Sequence, residues 1–184
     1  MNVGLWQRLE QGSGEWRLCL AANRWGARRL IARGFGVISR LGDGVFWYVL
    51  ILALAVLGGE RGLQAALHMA LLGVVATTLY HVLKRWTRRP RPFRSHAGII
   101  AHVPPLDEFS FPSGHTLHAV GFTIIALAYF PVLAPLLLPF AALVAASRVV
   151  LGLHYPSDVI AAALIASVLA SLSLRWVASA GLLG

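Results

Sequence analysis

Residues 64–83 read QAALHMALLGVVATTLYHVL, twenty residues without a formal charge, and Lys84-Arg85 follows at once. A helix of that length spans about 30 Å, the thickness of the hydrocarbon core of a bilayer. Four further apolar stretches share its character: GVFWYVLILALAVL at 44–57, then 116–130, 133–153 and 159–174. Several fall short of the ~20 residues a crossing needs, so their helices are expected to run on into flanking sequence. Trp47 and Tyr48 sit near one end of the first stretch, where interfacial aromatics gather. Pro135 and Pro139 lie near the start of the fourth, where a first turn or a kink tolerates proline. The resulting expectation is an all-α, multi-pass transmembrane helical bundle of about five spans.

Composition agrees. Of 184 residues, 58% are hydrophobic and only 12% charged, too few to cover a soluble surface, and mean hydropathy is +0.71. The formal charge of +9 would suggest nucleic acid in a soluble chain. Here the basic residues cluster beside apolar spans, which suits membrane lipids and a phosphorylated lipid substrate, with no nucleic acid and no obligate protein partner expected. The single Cys19 excludes an internal disulfide and any multi-cysteine metal site. No cleavable signal peptide is expected, because the first apolar run comes late, after an Arg-rich stretch.

Residues 1–43 are mixed, with Arg29, Arg33 and Arg40 projecting together at helical spacing and Leu30, Phe35 and Leu41 on another face. That pattern fits an amphipathic helix in the membrane interface, or one packed on the protein's own core, and the two are compatible. The expected division is an N-terminal interfacial segment at 1–43 and a transmembrane domain at 44–184.

The longest break between spans, Arg85 to Pro112, is rich in proline and arginine. Counting crossings brings this loop and the Arg148–Asp158 turn to the same side of the membrane. Three clusters meet there: Lys84 with Arg91-Pro92, Pro112-Ser113-Gly114-His115, and Ser147-Arg148 with His154 and Asp158. Lys84, Arg91 and Arg148 repel one another at low dielectric unless an anion is bound. Flanking positive charge accounts well for Arg85, Arg88 and Arg89, but poorly for Arg148, which follows a long apolar run. Ser113 is placed to cap a helix whose N-terminal N–H groups could cradle a phosphate, and Gly114 allows close approach. Asp158, four residues after His154, can orient that imidazole and leave its other nitrogen free to attack phosphorus. His115 then serves as the acid that protonates the leaving oxygen. His118, one turn further, reads as packing or support.

The motifs KRWTRRPRP, PSGH and SRVVLGLHYPSD, in this order, closely resemble the signature of the type-two phosphatidic acid phosphatase family, which includes vanadium-dependent haloperoxidases. The resemblance covers Lys84 to Asp158. It implies a helical bundle, His154 as nucleophile oriented by Asp158, His115 as general acid, and phosphate bound by Lys84, Arg91, Ser113, Gly114 and Arg148. No cofactor and no metal are implied. Family members usually have six spans, and here the Arg-rich segment stands in place of the first.

The function expected is hydrolysis of a lipid phosphate monoester or diphosphate through a phosphohistidine; undecaprenyl diphosphate, phosphatidate and phosphatidylglycerophosphate are the candidate substrates. A lipid phosphotransferase using the same phosphohistidine and a non-catalytic lipid-phosphate binder are the alternatives. The bacterial inner membrane is the expected location. Family precedent favours its outer face, whereas seven basic residues before Gly44 and only Arg61 and Arg175 at the far ends favour the cytoplasmic one.

Overall fold

The computed structural model describes residues 14–180, and among them there is helix but no strand. The helices are α1 (Glu15–Gly26), α2 (Arg29–Arg40), α3 (Phe46–Leu57), α4 (Gly59–Thr87), the short α5 (Pro92–Ser95), α6 (Gly114–Tyr129), α7 (Ala134–Val150) and α8 (Pro156–Ser179). A widened helical turn, Leu41–Val45, joins α2 to α3, and a 3₁₀ turn, Pro131–Leu133, leads into α7. Each of the five apolar stretches becomes one of the helices α3, α4, α6, α7 and α8. Among the described residues four helical stretches are long and apolar enough to cross a membrane: Arg29–Leu57, Gly59–Ser95, Pro131–Val150 and Pro156–Ser179. Helix α6, with 16 residues, is shorter and is packed among α4, α7 and α8.

Spacing along α8 shows why it packs as it does. Ala162, Ala166 and Ala170 recur every fourth residue and are buried, while Ile160, Leu164, Val168 and Leu172 are exposed on another face. Small residues let neighbouring backbones approach closely, and the large aliphatic residues face lipid. The main core is aromatic: the Trp47 ring lies 5.5 Å from both Phe122 and Phe140, with Ile125, Leu137 and Val144 fully buried around it.

The N-terminal helices lie against the bundle. In α1, Asn23 is buried, donating to the Ile100 carbonyl at 2.8 Å and accepting from the Ile100 N–H at 2.9 Å. A side chain at Gly26 would meet the Val150 carbonyl at 2.8 Å, so only glycine fits where α1 crosses the end of α7. Arg29, Arg33 and Arg40 of α2 are exposed, as are Leu30 and Val37. The antiparallel order then gathers the C-terminal ends of α4 and α7, the N-terminal ends of α6 and α8, and the α2–α3 turn at one end of the bundle.

Candidate active site

Lys84 occupies the last turn of α4 and is buried. The helix ends on Arg88 in a left-handed conformation (φ 47°), and the chain turns inward. Arg91 comes back beside Lys84 through a carboxylate that both share. Lys84 Nζ donates to both oxygens of Asp107 at 2.7 Å and to the Phe109 carbonyl at 3.0 Å. Arg91 reaches Asp107 Oδ1 at 2.8 Å through its guanidinium and the Asp107 carbonyl at 3.1 Å through Nε. Burial pushes the Asp107 carboxyl up, but Lys84 and Arg91 outweigh it and hold it below its usual range. The anion that the clustered cations require is thus supplied in part by the chain itself.

Arg148 differs. It is 2% exposed at the end of α7, donates to the Ser39 hydroxyl of α2, and its Nε–H has no partner. Among the described residues no carboxylate lies within ion-pairing distance of it. An almost fully buried guanidinium without a counter-ion is costly, and an incoming anion would relieve that cost.

Ser113 is the N-cap of α6, its hydroxyl accepting from the Thr116 N–H, as its position in PSGH suggests. That cap sets the helix axis, so Gly114 and His115 open onto a cavity of about 720 Å³ together with Lys84, Arg91, Arg148 and His154. Ser113 and Asp158 do not line the cavity; both are fully buried behind it, and the Ser113 N–H donates to the Asp158 carbonyl at 3.3 Å. His118 lines the same cavity, with Nε2 3.0 Å from Thr77 Oγ1 and Nδ1 2.8 Å from the Gly114 carbonyl.

His154 sits in the turn between α7 and α8. Its Nε2 lies 3.3 Å from an Arg91 N–H, which can only donate, so Nε2 is the nitrogen with the lone pair and Nδ1 carries the hydrogen. Nδ1 is 3.6 Å from Asp158 Oδ2, beyond hydrogen-bond range. Burial first, and then the charges of Arg91, Arg148, Lys84 and His115, push the His154 pKa well below its ordinary value. Asp158 itself is held by others: Oδ1 accepts from Arg89 at 2.8 Å, and Oδ2 from the Tyr155 N–H at 2.9 Å and from Ser110.

Several of these partners escape the motif reading. Flanking charge is the simplest sequence account of Arg89, yet Arg89 is buried, paired with Asp158 and with Glu15 of α1, and lies over the Tyr155 ring. Asp107 and Asp43 also lie outside the motifs, and Asp43 of the α2–α3 turn contacts His115 Nε2. One signal was available. The chain has only seven acidic residues, and four of them, Glu15, Asp43, Asp107 and Asp158, gather here. Among the described residues no group of three His, Cys, Asp or Glu side chains is placed to hold a metal ion.

Lys84, Arg91, Arg148, His154 and the N-terminus of α6 thus line one cavity at one end of a bundle of membrane-type helices, an arrangement suited to a phosphate group. Residues 62–181 match the family model of the PAP2 superfamily, and the chain belongs to that family. It is 32% identical over 131 residues to the decaprenylphosphoryl-5-phosphoribose phosphatase of Mycolicibacterium smegmatis, which covers 71% of this chain and 70% of that protein. It is 26% identical over 132 residues to the undecaprenyl-diphosphatase BcrC of Bacillus subtilis, covering 72% and 68%. In fold it matches the crystal structure of a transmembrane PAP2-type phosphatidylglycerolphosphate phosphatase from Bacillus subtilis, with a TM-score of 0.72 at 24% identity over 94% of this chain and 90% of the other. Aquifex aeolicus LpxE gives a TM-score of 0.70 at 25% identity, over 86% and 93%. The protein is an integral membrane lipid-phosphate phosphatase.

Proposed function

We propose that the protein hydrolyses a lipid phosphate monoester or diphosphate in two steps through phospho-His154. The observation that carries this reading is the His154 ring, whose lone-pair nitrogen meets the Arg91 guanidinium in the cavity. In the first step Nε2 attacks phosphorus, the N–P bond forms and the P–O bond to the lipid breaks. His115 gives its proton to the departing oxygen. In the second step a water oxygen bonds to phosphorus, the N–P bond breaks and the water's proton returns to His115. Lys84, Arg91, Arg148 and the N–H groups at Gly114 meet the charge on the phosphoryl oxygens. Ser113 acts by capping the helix that presents those N–H groups. Asp158, gripped by Arg89, faces the Nδ1–H of His154 and stabilises the ring as it becomes charged.

An undecaprenyl diphosphate, phosphatidate or phosphatidylglycerophosphate fits this reading, because the cavity extends from the cations to Trp47, Ile51, Ala70 and Val74 of α3 and α4, an apolar lining suited to a lipid chain. Of the 1–43 interfacial segment expected from the sequence, residues 1–13 lie outside the described residues; residues 14–43 lie in the membrane interface, the exposed Arg29, Arg33 and Arg40 meeting anionic headgroups. Charge counting favours a bacterial inner-membrane protein with this site on the cytoplasmic face. Buried Arg89 drops out of that count, but the N-terminal arginines remain in it.

Rapid acid-free quenching of purified protein turning over a ³²P-labelled lipid diphosphate tests the reading. The expected result is alkali-stable, acid-labile label on the His154 peptide, absent from His154→Ala, whose phosphate release falls by at least ~10²–10⁴-fold. Activity is expected to persist in EDTA. Retention of more than a tenth of activity by His154→Ala would remove it from the nucleophile role.

A further inference from the structure

The family match begins at residue 62, yet one carboxylate in the cavity comes from upstream of it. Asp43 lies in the sequence Gly42-Asp43-Gly44, within the widened turn between α2 and α3. Gly44 adopts φ 139°, a conformation that L side chains rarely take, and a Cβ there would meet the Tyr48 ring at 2.7 Å. Gly42 lies against Val144 of α7 and is buried. The turn is therefore pinned on one side and bent on the other, and the residue between the two glycines is carried to the N-terminus of α6. There Asp43 Oδ1 contacts His115 Nε2. His115 is the ion-pair partner of Asp43, whose side chain is about one-third exposed at the cavity, whereas the side chain of His115 is 9% exposed.

Resting on the two-histidine reading above, we propose that Asp43 is a positioning residue for the reaction: its carboxylate orients the His115 ring and favours the protonated form that the first step consumes. The need for such a partner follows from the surroundings. The cavity that His115 lines is also lined by Arg148 from α7, His154 from the α7–α8 turn, Tyr80, His81 and Lys84 from α4, Arg91 and Asp107 from the following loop, Tyr48 from α3 and His118 from its own helix. Burial is the largest effect opposing a proton on His115, Arg148 adds to it, and Asp43 offsets only part of the two, so the ring titrates below its ordinary range. Asp43 is the carboxylate in contact with the ring. The carboxylate takes no part in bond making. The proton passes to the lipid oxygen from Nδ1, the ring nitrogen that Asp43 does not hold, leaving a neutral imidazole whose Nε2–H stays on Asp43, and the attacking water restores it.

The test compares wild type, Asp43→Asn, Asp43→Glu and His115→Ala as purified, folded proteins, with circular dichroism and gel filtration as fold controls. Two readouts are taken: the pH profile of kcat/KM for a lipid diphosphate, and titration of ¹³C-labelled His115 by NMR. In Asp43→Asn the alkaline limb should move about 1–3 pH units to the acid side, as loss of an adjacent opposite charge implies. The His115 titration should move with it, and Asp43→Glu should restore part of both. A lower rate with an unmoved limb and an unmoved His115 titration would mean that Asp43 is only structural and would overturn the proposal. If instead His115→Ala keeps the wild-type alkaline limb, His115 is not the acid and the two-histidine reading fails. The NMR titration of Asp43→Asn then still decides whether the pair exists.

Discussion

At one end of the bundle Lys84, Arg91, Arg148 and His154 are each less than 5% exposed and open onto one cavity; at the other, α4, α6 and α8 meet through a single buried histidine. The histidine at that far end, His68, is fully accounted for. The Ser173 hydroxyl donates to the Ala170 carbonyl at 2.8 Å and so accepts from His68 Nε2–H at 3.0 Å. Nδ1 is left to accept the Tyr129 O–H at 3.1 Å. Every hydrogen has an acceptor and no charge is involved, so the cluster ties three helices together and leaves nothing over for chemistry. At the active end the polar groups are charged and their partners are borrowed from distant segments: Asp107 from a loop, Asp43 from a turn, Glu15 from α1. Arg148 has a hydroxyl where a carboxylate would be expected. The contrast separates a polar cluster that holds a fold from one that is organised for an incoming anion.

The largest expected break in that comparison is at Arg148. Arg148→Ala should lower kcat/KM by about 10²–10³-fold, the range for removing one fixed donor to a developing oxyanion. Arg148→Lys should recover little, because a point charge does not reproduce the fork. Phosphate release from mixed micelles measures both, and near-normal rates in the alanine variant would make Arg148 structural. The acid limb of the pH profile is the next largest effect. Since burial and the neighbouring cations hold His154 neutral well below its ordinary range, the acid limb should lie well to the acid side of the ordinary histidine value of about 6.5. A limb at or above that value would place the nucleophile elsewhere.

Smaller and opposite in sign is the effect at Asp107. Its carboxylate occupies Lys84 and Arg91, so Asp107→Asn should let vanadate and orthophosphate inhibit at several-fold lower concentration. Weaker inhibition would mean instead that Asp107 aligns the two cations for substrate. The least effect on catalysis belongs to the far end. His68→Ala should keep kcat within about twofold while lowering stability to heat, because it strands the Tyr129 O–H at a cost of about 1–3 kcal/mol. A catalytic defect as large as that of Arg148→Ala would erase the distinction between the two ends.

Much of this was legible in one dimension. Runs without charge, bounded by Lys84, His115, Arg148 and Asp158, dictate helices that must cross or bury themselves, and alternation of crossings brings the motif ends together. Spacing within PSGH already implied the Ser113 cap. The residues not legible were those whose partners lie far along the chain. Arg89 reads as one more arginine in a basic loop until the left-handed turn at Arg88 carries it inward to Asp158. Asp107 and Asp43 have no periodicity to mark them; only the folding of the 96–111 loop and the bend at Gly44 bring their carboxylates to Lys84, Arg91 and His115.

By itself, then, the sequence determined the all-helical membrane architecture, the family, and the gathering of Lys84, Arg91, His115, Arg148 and His154 at one end of the bundle. Hydropathy and short-range spacing are local, and the bilayer enforces them on any chain that carries them. Tertiary structure alone decided which carboxylate compensates which cation, that Arg148 is left without one, and that Asp158 is held by Arg89. Ion pairs between segments dozens of residues apart are set by packing angles and loop paths, and no local pattern of residues encodes those.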